Sequence, residues 1–303
     1  MCKLAVLIAS YNRSELFKKT LKGWLDREEI DTLIIKADSS KREEYEGYKE
    51  ALEEIKGKSV VYEISDKRSG SAKAKNRVLE MALQNDCRFM ICADDDHYIP
   101  TESDVKGSLR ILLNGSIGAV GGRVINLGNR TEDPDFFLNL PIADSLSKAL
   151  GYIFLDVKHG PRLAEFVPAF FMIKGEAVRD VRYDEFYDST HGFREESDFQ
   201  QGIKKAGYKL VFNPYFYVYH IPIEEGGNRG ASLSRRIFGK SKANTYFSFK
   251  WFSKPRAIWY VLVSSIILML YSPNNALEVI KGIKDGIKEY QSKLTRSGSS
   301  GNS

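Results

Sequence analysis

Cysteine is scarce in this sequence: Cys2, Cys87 and Cys92 are the only three among 303 residues, and no two form a CxxC pair. An odd count without paired spacing argues against a disulfide framework and against a zinc site, and it favours the cytoplasm. No signal peptide is expected either, because the apolar start at residues 4–9 is too short and runs into Asn12, Arg13 and Ser14. In that compartment the glycosylation-like triplet Asn129, Arg130 and Thr131 carries no meaning. No internal repeat or long low-complexity tract is present, which excludes a fibrous repeat; only the Ser/Gly-rich end, residues 297–303, reads as a frayed tail.

What is present is globular in kind. With 43% hydrophobic, 28% charged and 12% aromatic residues the chain is not disordered. Its length allows one large domain or two smaller ones around a sizeable core. The net charge of +5 hides an asymmetry: residues 231–303 carry 12 Lys/Arg against 3 Asp/Glu, leaving 33 basic and 37 acidic residues in 1–230. A nucleic-acid-binding domain would spread positive charge over a reading face, so no nucleic-acid partner is expected. Because the basic tail is also aromatic and apolar, a membrane surface is the better partner.

Residues 3–9 form a short apolar run of the kind expected of a buried parallel strand, and 14–25 follow with apolar positions at helical spacing. Further strands are expected at 32–36, 60–64 and 88–93, with helices at 42–56 and 72–84 between them. Strands alternating with helices imply an α/β fold with a mainly parallel sheet, in which ligands bind outside the carboxyl ends of the strands. Asn12, Asp38 and the triplet Asp94, Asp95 and Asp96 all fall at such ends. Beyond lie an expected helix at 103–113, a strand at 117–124 and a variable loop at 129–158. A strand at 166–173, a segment at 182–187, a helix at 196–206 and a last strand at 209–220 complete the body.

Three successive carboxylates after a buried strand repel one another unless a cation neutralises them, and hard divalent ions take oxygen ligands and bridge to phosphates. A solvated acidic turn is the plainer alternative. Asp38, Ser39 and Ser40 could bond a base or ribose, or could be ordinary turn chemistry. Gly70 through Arg77 places small residues at a helix start, with backbone N–H groups open to an anion and Lys73 and Lys75 adding charge; a capped helix with a solvated basic face would look the same. Glu195, Glu196 and Asp198 open a helix whose dipole favours acids, yet three crowded together repel, and one raised pKa would make a general base. His220 closes an aromatic strand, where a lone histidine is more often structural.

Taken in this order, the pieces resemble the family-2 glycosyltransferases with the GT-A (nucleotide-diphospho-sugar transferase) fold, over roughly residues 3–222. Ile8, Ala9, Ser10, Tyr11, Asn12 and Arg13 look like that family's first nucleotide-binding strand and loop. Asp38 falls where the family contacts the base or ribose, and Gly70 to Asn76, including Lys73, is similar to its loop-helix beside the donor. Asp94, Asp95 and Asp96 match its DXD element, with Asp94 and Asp96 as the outer acids. Gly121, Gly122 and Phe170 to Ile173 stand where acceptor-side strands are expected, and Glu195 to Asp198 followed by Gly207 and Tyr208 resembles the "ED" segment. The resemblance implies nucleotide-sugar contacts from Ser10, Asn12, Arg13, Asp38, Lys73, Asn76, Asp94 and Asp95. It implies Mg2+ or Mn2+ on Asp96, Asp94 and His220. The second acid of the "ED" pair is usually Asp and here is Glu196, the expected base, with Glu195 or Asp198 as alternatives. No Gln-x-x-Arg-Trp element follows His220, so one sugar is expected to be transferred, with inversion, rather than a polymer built. A nucleotidyltransferase is the rival enzyme, but Asn12, Arg13 and Ser14 are not its Gly-rich basic loop; a non-catalytic sugar-nucleotide-binding membrane scaffold is the other alternative.

Residues 257–271 are fifteen positions without a charge. As a helix they span about 22 Å, short of the roughly 30 Å hydrocarbon core. Entry into one leaflet is therefore expected, with a core helix of the body as the alternative. Residues 246–252 read as an interfacial segment and 276–290 as an amphipathic surface helix. The organisation expected is a catalytic domain over 1–225, a basic, apolar helical membrane-associated segment over 226–296 and a flexible tail over 297–303. It would work at the cytoplasmic face of the cell membrane on a glycan or lipid-linked acceptor.

Overall fold

The computed structural model describes residues 2–127, 143–151, 158–222 and 231–299. Strands β1 (Leu4–Tyr11), β2 (Thr32–Asp38), β3 (Ser59–Ser65) and β4 (Phe89–Asp94) lie parallel in the order β3-β2-β1-β4. Helices cover both faces of β1, β2 and β4, which is why these strands read as continuous apolar runs rather than alternating ones. Helices α1 (Ser14–Leu25) and α2 (Arg42–Glu53) send Phe17, Leu21, Trp24, Tyr48 and Leu52 into one core. Helix α3 (Ser71–Gln84) sends Val78, Leu79, Met81 and Ala82 into the core on the other face.

Past β4 the sheet becomes mixed. Strand β8 (Phe171–Lys174) runs antiparallel to both β4 and β6 (Ile117–Asn126), and β6 lies parallel to β9 (Lys209–His220). Two short strands, β5 (His97–Tyr98) and β7 (Arg162–Ala164), pair antiparallel with β9. The β5–β9 register sets His97 opposite His220. Helices α4 (Val105–Leu112), α5 (Ala143–Leu150) and α6 (Glu195–Lys205) complete the body, α4 being capped by the Asp104 carboxylate, which accepts from Gly107 N–H at 2.8 Å.

Several expectations are corrected. Cys2 and Cys87 form a disulfide, with Cα atoms 4.5 Å apart, against the reading from cysteine count. The cause is register: Leu4 pairs with Phe89 in the parallel β1–β4 ladder, so the residues two before each strand meet. The argument for the cytoplasm from unpaired cysteines loses its premise. The strand expected at 166–173 is confined to Phe171–Lys174. Pro168 has no N–H for a ladder, and the buried Gln200 amide takes the place of a neighbouring strand, accepting from Val167 N at 3.1 Å and donating to Val167 O at 2.9 Å. Of the expected loop at 129–158, residues 143–150 are helical and most of the remainder lies outside the described residues, as does the boundary expected at 225/226.

The C-terminal segment is three helices, α7 (Leu233–Trp251), α8 (Lys254–Tyr271) and α9 (Ala276–Ser299). Residues 246–252 were expected at an interface. Instead Tyr246 and Phe247 are buried against Phe166 and Tyr187 of the body. Asp184 binds Lys250 at 2.9 Å, Lys293 at 2.6 Å and Tyr246 Oη at 2.7 Å, while Asp198 binds Lys250 at 2.8 Å and Trp251 Nε1 at 2.6 Å. Helix α9 continues past residue 290 into the expected tail, of which 300–303 lie outside the described residues. It crosses α7 closely at Gly282 and Gly286, where an added Cβ would stand 2.7 Å from the carbonyl oxygens of Phe238 and Lys242.

Candidate active site

The carboxyl ends of β1 and β4 bring Ser10, Arg13 and the aspartate triplet together. Asp95 faces inward: its carboxylate accepts from Ser10 Oγ at 2.6 Å and pairs with Arg13 at 2.8 Å, and its carbonyl accepts from Thr20 Oγ1 at 2.9 Å. Ser10 also meets Tyr48 Oη at 2.5 Å. Burial raises Asp95 to about 6 against the pull of Arg13. Asp96 is also raised by burial, but the hydrogen bond from His220 and the nearby His97 and Arg13 outweigh this and hold it below the usual range. Asp94, 38% exposed, is the open member.

Across the cleft, Glu195 and Glu196 project from the first turn of α6 and meet Lys75 of α3. Lys75 Nζ lies 2.6 Å from Glu195 Oε1, bonds Glu196 Oε1, and stands 3.5 Å from Asp94 Oδ1; Ser71 Oγ donates to Glu195 at 2.7 Å. Burial raises Glu196 to about 7, with Lys75 opposing and Glu195 and Asp94 adding to the rise. The cavity between these walls is about 330 Å³ and is lined by Ser10, Arg13, Asp38, Asp94, Asp95, Asp96, Glu195 and Glu196 among others.

Other expected residues fall elsewhere. Asn12 locks the β1 loop to the β2 loop, exchanging hydrogen bonds with Ser40 at 2.8 and 2.9 Å. Asp38 is at the cavity wall, but its carboxylate holds Lys36 at 2.8 Å and accepts from Ser69 N at 2.6 Å. Lys73 points away, towards Glu185 at 3.7 Å, and Asn76 spends its amide on the backbone of Tyr183. Asp198 faces α7 rather than the cavity. The helix start at Gly70–Ala72 is not open to an anion as expected, because Asp188 Oδ1 accepts from Ala72 N at 2.7 Å. Lys75 was the lysine to single out: it lies in phase with buried Val78, Leu79 and Ala82, whereas Lys73 lies on the opposite face.

The site suits a hard cation. Ligand atoms of Asp94, Asp96 and His97 lie within 4.8 Å of one another, and Asp96 Oδ1 is buried without a hydrogen-bond partner among the described residues. The two histidines are held differently. His97 Nδ1 accepts from Asp94 N at 3.1 Å, so its proton sits on Nε2, facing the carboxylates. His220 Nδ1 meets the amide oxygen of Asn126 at 2.7 Å, and its Nε2 donates to Asp96 at 3.3 Å, a proton it would give up to bind a cation. Burial lowers the His97 pKa, against Asp94 and Asp96, which raise it.

A mixed, mostly parallel α/β sheet with an acidic, cation-suited cleft at its strand ends fits a GT-A glycosyltransferase. Residues 5–182 match glycosyl transferase family 2, and the chain belongs to that family. Among solved structures it resembles the mannosyltransferase PcManGT from Pyrobaculum calidifontis in complex with GDP-Man and Mn2+, at 14% identity and TM-score 0.58, covering 98% of this chain and 79% of that one. It also resembles S. aureus TarS residues 1–349 in complex with UDP-GlcNAc, at 12% identity and TM-score 0.58, covering 94% and 81%. These likenesses are of fold. No curated protein matches significantly by sequence.

Proposed function

We propose that this glycosyltransferase moves one sugar from a nucleoside-diphosphate sugar to a hydroxyl or phosphate of a glycan or lipid-linked acceptor, with inversion, at a membrane. The observation that carries this is Glu196, a carboxyl raised to about 7, facing Asp94 and Asp96 across one cavity. Such a group is matched to proton acceptance near neutral pH. A hydroxyl acceptor attacks the anomeric carbon as its proton passes to Glu196, and the bond to the diphosphate oxygen breaks on the opposite side with its electron pair. Asp94, Asp96 and His220 would hold Mg2+ or Mn2+, which supplies neutralisation of the leaving diphosphate. Ser10, Arg13, Asp38 and Asp95 shape the nucleotide side of the wall, and Lys75 holds both glutamates in place. The two similar structures, solved with GDP-Man and UDP-GlcNAc, support a nucleotide-sugar donor.

Membrane association rests on α8, the one described helix long and apolar enough to cross a membrane, 28% buried within the fold. Ile258, Leu262, Ile266 and Leu270 recur at helical spacing on its exposed side, with Leu270 76% exposed. The basic segment around it supports a reading at the cytoplasmic face, where positive charge and anionic lipid both concentrate. The catalytic domain is taken as 1–225, followed by the helical segment.

The test is a thermal-shift screen of nucleoside diphosphates with Mn2+ or Mg2+, followed by donor turnover. Metal-dependent stabilisation and release of a nucleoside diphosphate support transfer. Release of pyrophosphate, or ligand uptake unchanged by chelator, would overturn it.

A further inference from the structure

The chain enters α6 through left-handed backbone. His191 (φ 60°), Gly192 (φ 76°) and Arg194 (φ 72°) take dihedrals that glycine alone adopts freely, and Glu195 and Glu196 follow at once. A residue with a side chain persists in that region only where its surroundings hold it. For Arg194 those surroundings are the C-terminal helices. Its Nε donates to Asn244 Oδ1 of α7 at 3.0 Å, its Nη2 donates to the carbonyl of Gly151 just past α5, and its guanidinium carbon lies 5.2 Å from the Phe247 ring centroid. Asn244, 2% exposed, is fixed in turn, because its Nδ2 donates to Ser264 Oγ of α8 at 2.7 Å. From the opposite side Lys75 of α3 holds both glutamates. The head of α6 is thus gripped between α3 of the body and α7 of the tail.

We propose that Arg194 and Asn244 are positioning residues that set Glu196 in the cavity, which makes the C-terminal helices a working part of the active site. The assignment rests on the reading of Glu196 as the base. Neither side chain lines the cavity, whereas His191, Gly192, Glu195 and Glu196 do, so the pair acts through the turn. Bonds from one guanidinium to two fixed oxygens set its plane, and with it the direction in which the first turn of α6 leaves Arg194. A base must stand within hydrogen-bond reach of the proton it takes, and a misplacement of about 1 Å costs about 100-fold in rate.

Two measurements on the full chain test this. Hydrogen exchange at the Asp198 amide, which donates to Arg194 O at 2.9 Å, reports the head of α6 directly. The pH profile of nucleoside-diphosphate release, with GDP-Man or UDP-GlcNAc as donor probe, reports the base. Asn244→Leu should speed that exchange at least tenfold and lower kcat by about 10–100-fold with donor KM unchanged. Arg194→Gly, which keeps a residue free to stay left-handed, should do the same. The double variant should be no worse than either single one, because both act through one contact. Asn244→Asp, which keeps the oxygen that accepts from Arg194, should restore both readouts. Burial is the largest cause raising Glu196, so a loosened turn that admits water should also move the ascending limb to lower pH. A retained thermal shift with nucleoside diphosphate shows that a variant is folded; should Asn244→Leu lose it, Arg194→Lys, which cannot reach both oxygens, takes its place with a smaller loss of the same kind. Unchanged exchange at Asp198, additive losses in the double variant, or Asn244→Asp no better than Asn244→Leu overturns the pair. A limb that persists in Glu196→Gln removes the base reading, and exchange that still follows Arg194 and Asn244 then keeps their hold on the head of α6.

Discussion

Lys75 Nζ lies 2.6 Å from Oε1 of Glu195 and bonds Glu196 as well, so one cation on α3 holds both acids at the head of α6. Burial raises Glu196 and Lys75 opposes that rise. Lys75→Met should therefore push the carboxyl above its present value of about 7. A base works only when deprotonated, so the ascending limb of kcat/KM against pH should move to higher pH. Each unit of movement costs about tenfold in rate below the limb. A lower profile with an unmoved limb would limit Lys75 to a packing role.

The three acids of α6 should separate cleanly. Glu196→Gln should lower transfer by about 10²–10⁴-fold while nucleoside-diphosphate binding persists. Glu195→Gln, removing a charge that shares Lys75 but leaving the base, should cost less. Asp198→Asn should act on stability, since its carboxylate holds Lys250 and Trp251 rather than facing the cavity. Steady-state kinetics beside thermal melts check all three, and Glu195→Gln as the most impaired enzyme would reassign the base.

Strands 3–9, 32–36 and 88–93 were legible because both faces of each are covered and their apolar runs end at polar turns, and 60–64, the partly exposed edge strand, was legible from its short apolar run alone. Asp94, Asp95, Asp96 and Glu196 were legible because charge crowding at an element's end is visible in one dimension. What depended on pairing across the sheet was not. Cys2 meets Cys87 through the β1–β4 register, and His97 meets His220 through the two-residue strand β5. The burial of Tyr246 and Phe247 was hidden because an aromatic, basic run reads the same whether it packs on a protein core or on lipid headgroups.

Metal dependence should follow how the two histidines are held. Removing the Nε2 ligand with His220→Ala should abolish the Mn2+-dependent thermal shift given by nucleoside diphosphate. Asn126→Ala, which frees the His220 ring, should weaken metal affinity by about 10–100-fold. His97→Gln should keep metal dependence, because the His97 proton faces the carboxylates. Loss of metal response in His97→Gln with retention in His220→Ala would exchange the two assignments.

The latch between body and tail centres on Asp184. Burial would raise its pKa, but Lys250, Lys293 and Tyr246 outweigh this and hold it well below the ordinary carboxylate value. A depressed folded pKa means the stabilisation is fully present above the unfolded value of about 3.9 and is lost progressively as pH falls from there through the lower folded value. Asp184→Asn should thus destabilise the protein at pH 7 by about 1–3 kcal/mol, and the gap to wild type should narrow steadily as pH falls below about 4. Denaturant melts across pH test this, and equal stability at pH 7 would remove Asp184 from the latch.

The exposed side of α8 should decide whether the protein sits on lipid. Leu262 and Leu270 are 51% and 76% exposed and two turns apart, so both can enter a bilayer surface together. Burying each contributes about 1.5–3 kcal/mol at most, and replacing both with glutamate also sets negative charge against anionic lipid. Leu262→Glu/Leu270→Glu should therefore lower co-sedimentation with phosphatidylserine vesicles by more than tenfold, with donor turnover on a soluble acceptor unchanged. Raising salt should weaken wild-type binding only in part, because the apolar share is not screened while the Lys/Arg share is. If the double variant binds vesicles as wild type does, the exposed face of α8 is not the membrane contact. If salt alone strips the wild type completely, the contact is purely electrostatic and lies on the basic residues of the segment rather than on α8.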